Sequence, residues 1–354
     1  MTKRVQIVSM LVAVLITPPC CSQKTEVAGT FNNPLFQSGA DPWIIWKDSV
    51  YYYTCTSGSN LFISKGKNLD DLKRSERKVI WTPPEGTSCS KQIWAPELHC
   101  LNNKWYMYFA ADDGRNENHR MYVVENQSPD PLSGTWEFKG KVTDPSDKWA
   151  IDGSVFVFNS QLYMIWSGWE ADVNGQQNIY IAKMENPWTI SGERVLISSP
   201  EYPWETFGDL NNPEDVPHVS VNEGPVALSK DGRLFIVYSA SGCWTDNYCL
   251  GLLRLKGNDP AASTSWDKNP QPVFSGNPEA GVYAPGHNSF FMSPDGTEYW
   301  ILYHANPKAG QGCGRFRSPR AQKIEWKNDG SPYMGKPVGT DMPMNLPSVN
   351  AIRR

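Results

Sequence analysis

The chain has 354 residues, a formal charge of −4 and a 20% share of charged residues. That acidic balance gives no electrostatic footprint for nucleic acid or an anionic membrane surface, and no feature of the sequence implies a protein partner. Its 15 Trp, 15 Tyr and 13 Phe, set among 28 Gly and 28 Pro, argue against general disorder and for a β-rich chain with frequent turns.

At the start, Lys3 and Arg4 precede an apolar run from Val5 to Ile16, followed by Pro18, Pro19, Cys20 and Cys21. A short basic region, an apolar stretch and a break have the form of a secretory signal, here assigned to residues 1–21. The run is too short to cross a bilayer, which takes about 20 residues. Cys20 or Cys21 at the junction suggests a lipid anchor to a bacterial membrane, although Pro18 and Pro19 stand where small residues normally precede such a cysteine. The expected location is exported: periplasmic, cell-surface or secreted. Export places Cys55, Cys89, Cys100, Cys243, Cys249 and Cys313 in an oxidising compartment. Cys243 and Cys249 are spaced for a short hairpin-like bridge, with buried free thiols as the alternative; spacing does not fix connectivity.

From about residue 30 to 345 one pattern recurs: a polar anchor, an apolar strand, a turn and a second strand rich in aromatics. The anchors Asp41, Glu97, Asp152, Glu223 and His287 follow one another at 56, 55, 71 and 64 residues. The aromatic positions Tyr51, Tyr106, Tyr163, Phe235 and Tyr299 drift with them, at 55, 57, 72 and 64. Third strands are expected from Asn60, Arg120, Asn178, Leu250 and Arg320, with turns at Asn102-Asn103, Asp231-Gly232, Asp295-Gly296 and Asp329-Gly330. Leu69 to Lys78 is at most a short helical turn. Five four-stranded units predict an all-β fold, a five-bladed β-propeller in a single domain spanning 30–345. A β-sandwich does not explain the recurrence.

In such a fold the first strand of each unit lines a central channel, so the five anchors would form a ring at one mouth. Repulsion among buried carboxyls raises at least one pKa, as a general acid working near neutral pH requires. Capping of strand ends is the competing reading for any one anchor. Glycoside hydrolysis needs one carboxyl group to protonate the leaving oxygen and another to activate water or attack directly. Trp43, Trp94, Trp166 and Trp169 are candidate stacking faces for a sugar, with packing between sheets the alternative for each. No His-Glu-x-x-His, Gly-x-Ser-x-Gly or Walker phosphate loop occurs, so zinc, serine-nucleophile and nucleotide chemistries find no motif.

At these residues the sequence resembles the glycoside hydrolase family 43 propellers, which include α-L-arabinofuranosidases, arabinanases and β-xylosidases. GADPW at 39–43 looks like that family's general-base motif, IDGSVF at 151–156 like its third-blade motif and NEGP at 222–225 like its general-acid motif. The resemblance implies that Asp41 activates water, Asp152 tunes and orients the acid, and Glu223 donates the proton. IWAPELH at 93–99, WSGWE at 166–170 and GHNSFF at 286–291 look most like exo-acting α-1,5-L-arabinofuranosidases. The substrate-binding residues this suggests are Trp94, Trp166, His287 and Arg317, with a surface salt bridge the alternative for Arg317. One departure stands out: Gly153 occupies the place where many relatives carry proline. The implied activity is an inverting exo-glycosidase that removes terminal α-L-arabinofuranosyl residues from plant-type polysaccharide or oligosaccharide. A β-xylosidase and a non-catalytic glycan-binding propeller are the alternatives. No cofactor is required and no metal ligands are assigned; a structural Ca2+ near His287 is the one ion the resemblance allows.

Overall fold

Pairs of residues in left-handed conformation set the hairpins. Asp48-Ser49, Asn102-Asn103, Asn159-Ser160 and Asp231-Gly232 all have positive φ at both positions. Two such residues make the turn whose twist matches the strands it joins. In the computed structural model, which describes residues 29–209 and 218–349, these four turns connect the first and second strands of four consecutive sheets. The expected signal segment with Cys20 and Cys21 lies outside the described residues. The fifth unit instead closes its first hairpin with a longer loop through Asp295-Gly296.

Among the described residues the chain is all-β, with one short α-helix at Leu69–Lys73 capped by Asn68, whose Oδ1 accepts from the Asp71 N–H at 2.8 Å. Five antiparallel units of four strands follow one another. Their first strands are Trp43–Lys47, Lys91–Leu101, Ala150–Phe158, Ser220–Lys230 and Tyr283–Met292. Their third strands, Leu61–Gly66, Arg120–Asn126, Gln176–Asn186, Cys249–Leu255 and Ser318–Trp326, lie where the repeat placed them. Units three and four are joined by a short parallel pairing of Gln176 with Ser220 and Gln177 with Val221.

The apolar residues of each unit are buried against the next. One core joins Tyr52, Ile63, Trp105 and Met107 of units one and two; another joins Tyr108, Val123, Met164 and Tyr180 of units two and three. Ile165 and Ile181 meet Ile236 and Leu253, and Phe235 and Leu250 meet Ile301 and Tyr303. A fifth core packs Tyr51, Tyr53 and Phe62 of unit one against Phe291, Trp300 and Leu302 of unit five. Near the ends of the described residues, Thr30–Phe31 pairs antiparallel with Met344–Asn345. Between them the Leu35 and Gly39 N–H groups donate to the Pro319 and Arg317 carbonyls. The repeated second-strand aromatics Tyr51, Tyr106, Tyr163 and Phe235 are all buried in these inter-unit cores.

One cysteine expectation is corrected. Cys243 bonds Cys313, 70 residues away in the next unit, while Cys249 is a buried free thiol, as are Cys55 and Cys89. Cys249 opens the strand Cys249–Leu255, buried and paired with Ala240 in the sheet, while Cys243 lies in the loop beyond.

Candidate active site

The first strands break register at one recurring place. Trp94 pairs with Ala110 but Glu97 with Tyr108, Ile151 with Ser167 but Ser154 with Ile165. Glu223 pairs with Ser239 but Val226 with Val237, and Gly286 with His304 but Ser289 with Leu302. Each break sets two residues against one, a β-bulge that re-aims the strand end. The first bulged residue is left-handed in every case: Ala95 at φ 43°, Asp152 at 56°, Gly224 at 54° and His287 at 46°, with Asp41 at 55° in the matching place of unit one. A non-glycine residue held there costs about 1–3 kcal/mol and needs support from its surroundings.

That support comes from the preceding unit. The Ala95 N–H donates to Thr56 Oγ1 at 2.8 Å, the Gly224 N–H to Asp152 Oδ2 at 2.9 Å and the His287 N–H to Ser239 Oγ at 2.7 Å. The Asp41 N–H donates to His304 Nδ1 of unit five at 3.1 Å. The register corrects the expected ring of five equivalent anchors. Asp41, Asp152 and His287 are equivalent; Glu223 lies one residue before its bulge residue and Glu97 two residues after. Glycine at 224 takes the strained place and leaves its neighbour to carry the carboxyl group.

A pocket of about 270 Å³ is lined by Asp41, Asp152, Glu223, His287 and Arg317 together with Trp94, Trp149 and Trp244. Trp94 stacks on His119 at 4.1 Å, and Trp149 stacks on Trp169 at 4.6 Å while its Nε1 donates to the Asn116 carbonyl at 2.8 Å. Trp166 is not brought to the pocket. It sits along the second strand opposite Tyr180, 3% exposed in the core between units two and three. Trp169 lies behind Trp149, and Trp43 packs on His99. Glu97 is buried outside the pocket, 2.8 Å from His99 Nε2. Burial raises the Glu97 pKa and pushes His99 down to about 3, so this is a neutral supporting pair. At Gly153 a Cβ would press on the flexible ends of Met164 and Met121, which would have to shift.

The three acids of the pocket are held in different states. Asp41 Oδ2 accepts from Thr56 Oγ1 at 2.6 Å, and its Oδ1 lies 3.2 Å from Arg317 Nη1 and 3.4 Å from His287 Nδ1. Burial alone would raise its pKa, but His287, Arg317 and His304, with the Thr56 hydroxyl, outweigh that and hold it well below the ordinary range. Burial lowers both histidines, and His304 Nδ1 is already an acceptor, so Arg317 is the partner that stays charged through neutral pH. Arg317 thus meets Asp41 inside the pocket and is not part of a surface salt bridge.

Glu223 is pushed up to about 7 by burial and by the charge of Asp41, against the Tyr248 hydroxyl, which donates to Oε1 at 2.7 Å, and against Arg317. Asp152 is raised well above its usual value by burial and then by Glu223 and Asp41, with the Gly224 N–H opposing. Asp152 and Glu223 titrate together, and the pair retains a proton near neutral pH. Ligand atoms of Asp152, Glu223 and His287 lie within 4.8 Å of one another. Two carboxyl groups and one imidazole nitrogen fall short of Ca2+, which takes six to eight oxygen ligands.

Thr56, Trp149, Trp244, Tyr248 and His304 were not singled out by sequence reasoning. Tyr248 and Trp244 flank a short loop next to Cys243, and only the disulfide marks that loop as special.

One buried carboxylate kept ionised, a second carboxyl group that holds a proton up to about pH 7 and tryptophans lining the same pocket are the features of a carboxylate-dependent glycoside hydrolase. Residues 31–332 match the profile of glycosyl hydrolases family 43, and the chain belongs to that family. It is 36% identical over 345 residues to an extracellular exo-α-(1→5)-L-arabinofuranosidase of Streptomyces avermitilis, covering 94% of this chain and 69% of that protein. An α-L-arabinofuranosidase 43 of Humicola insolens is 33% identical, over 90% of this chain and 66% of its own length. Among solved structures, an α-L-arabinofuranosidase from Lactobacillus brevis superposes with a TM-score of 0.80 at 35% identity, covering 88% of this chain and 98% of that one.

Proposed function

We propose that the chain is an exported, inverting exo-α-L-arabinofuranosidase that removes terminal arabinofuranosyl residues from arabinan or its oligosaccharides. The observation that carries this reading is the split between Asp41, held ionised, and Glu223, at about 7, in one pocket. The Asp41 carboxylate takes a proton from water as the water oxygen attacks the anomeric carbon. The Glu223 carboxyl gives its proton to the departing glycosidic oxygen on the other side of the sugar. Asp152 holds the Gly224 peptide and shares its proton with Glu223, which keeps the acid loaded and aimed. His287 and Arg317 steady Asp41, and Trp94, Trp149 and Trp244 offer faces to the sugar. The hydrolysis consumes water alone.

The arabinoside is favoured over the xyloside by the names of relatives at 33–36% identity; a xylosidase/arabinosidase of Humicola insolens matches at 21% over 70% of this chain. The sheets are read as the blades of a closed five-bladed propeller in one domain spanning 30–345. The fifth core between units five and one, and the pairing of Thr30–Phe31 with Met344–Asn345, support closure. Export rests on residues 1–21, in keeping with the extracellular naming of two relatives; anchoring through Cys20 or Cys21 rests on sequence alone.

Proton NMR of the first sugar released from 4-nitrophenyl α-L-arabinofuranoside tests the mechanism, inversion giving the β-anomer first. A first product with the α-configuration sinks the roles of Asp41 and Glu223. Parallel turnover of the β-xyloside tests the substrate.

A further inference from the structure

The Cys243–Cys313 disulfide lies in the wall of the pocket, and both cysteines line it. It joins two loops of adjacent units, residues 241–248 between Ala240 and Cys249 and residues 307–317 between Asn306 and Ser318. The same loops are tied a second time: the Gly310 N–H donates to Asp246 Oδ1 and Oδ2 at 3.0 and 2.9 Å. Each loop carries a pocket residue. Trp244 follows Cys243 directly, its Nε1 donating to the Gly208 carbonyl at 3.2 Å, and it packs so closely over Gly242 that a side chain there would collide with the indole. Left-handed Gly312 would bring a Cβ to 3.6 Å from Trp244 Cα, so the second loop lies against the backbone of the first. Arg317 ends the second loop and reaches Asp41 Oδ1 at 3.2 Å.

We propose that this disulfide is a positioning element of the active site, fixing Trp244 as a wall for the arabinosyl unit and keeping Arg317 in register with Asp41. The inference rests on the arabinofuranosidase reading above. Trp94 and Trp149 are already held by ring stacking and by the Asn116 carbonyl. Trp244 stands on a loop between strands, where chain entropy favours many arrangements, and the cross-link removes most of them. Asp41 is faced by His287, His304 and Arg317, with Asp152 and Glu223 sharing its pocket; of the cations only Arg317 depends on the cross-linked loops.

The test compares wild type, the double variant C243S/C313S and Trp244→Ala on 4-nitrophenyl α-L-arabinofuranoside and arabinotriose, well below the melting temperature. The double variant should show KM raised about tenfold and the acid limb of kcat/KM moved to higher pH, because a mis-set wall and a loosened Arg317 act on separate observables. Trp244→Ala, with the disulfide intact, should raise KM and leave the acid limb in place. A folded double variant with wild-type KM and acid limb, and only a lower Tm, overturns the inference and leaves a staple. If the double variant does not fold, a phosphine reduction of native wild type, followed by thiol titration, gives the same readout: two new thiols with unchanged kinetics overturn it. A wild type that turns over neither substrate fails the arabinofuranosidase reading, and this inference falls with it.

Discussion

Asp152 grips the backbone of Gly224: its Oδ2 accepts the Gly224 N–H at 2.9 Å, so the third unit holds the peptide that follows Glu223. A carboxyl group that steers another by way of the backbone has a separable geometric part. Asp152→Asn keeps an amide oxygen for Gly224, whereas Asp152→Ala removes the acceptor. The alanine variant should lose about a hundredfold in kcat/KM and the asparagine variant about tenfold less. Equal losses would mean that the ionisable group, and not the grip, is what the reaction uses.

In the proposed mechanism Glu223 is the proton donor and sets the alkaline side of the pH profile. Glu223 must carry its proton, so kcat/KM should hold at lower pH and fall as pH rises through about 7. The Tyr248 hydroxyl stabilises the ionised form by donating to Oε1, and so lowers that pKa. In Tyr248→Phe the alkaline limb should therefore move to higher pH. A limb that stays or moves down would show that Tyr248 does not act on Glu223.

In the same proposed mechanism the acid side belongs to Asp41, which must be ionised. Because its pKa is held far below the usual range, activity should persist into acid and be lost only as pH falls towards that low value. Arg317→Met removes the cation that remains charged through neutral pH. The Asp41 pKa then rises and the acid limb shifts upward, whatever the change in KM. Kinetics from pH 3 to 7 would read this directly, and an unmoved limb would assign Asp41's hold to the histidines.

Packing between units predicts a stability effect apart from chemistry. Phe235 is fully buried between units four and five among Val237, Leu250, Ile301 and Tyr303. Phe235→Ala should cost about 3–5 kcal/mol in denaturant unfolding. The pocket residues lie at the other end of the sheet, so kcat/KM of the folded fraction should be near wild type.

The repeat was legible because its parts are local. Strand, turn and strand recur within a few tens of residues, and pairs such as Asn102-Asn103 specify their turn by their own backbone preferences. The three acids were legible as well, since each lies in a short motif at the head of a first strand. Their relative register was not. The bulge residues are identified only by which partner each strand residue faces, and residue type alone sets Glu97 and Glu223 level with Asp41 although they lie two residues beyond and one residue before it.

The aromatic count divides along the same line. Sequence alone was enough to assign Tyr51, Tyr106, Tyr163 and Phe235 to packing, because the recurring position on a second strand is buried in four of the five units and half-buried at Tyr299. Which tryptophans line the pocket was decided by the tertiary structure: Trp166 points into a core, while Trp94, Trp149 and Trp244 line the pocket. The choice of Cys313 over Cys249 as the partner of Cys243 was made there too, by two loops that meet only when units four and five lie side by side. The physical reason is range. Alternation and turns act over a few residues and are written in order along the chain, whereas a pocket wall or a proton shared by two acids is a distance between units, set when the sheets pack.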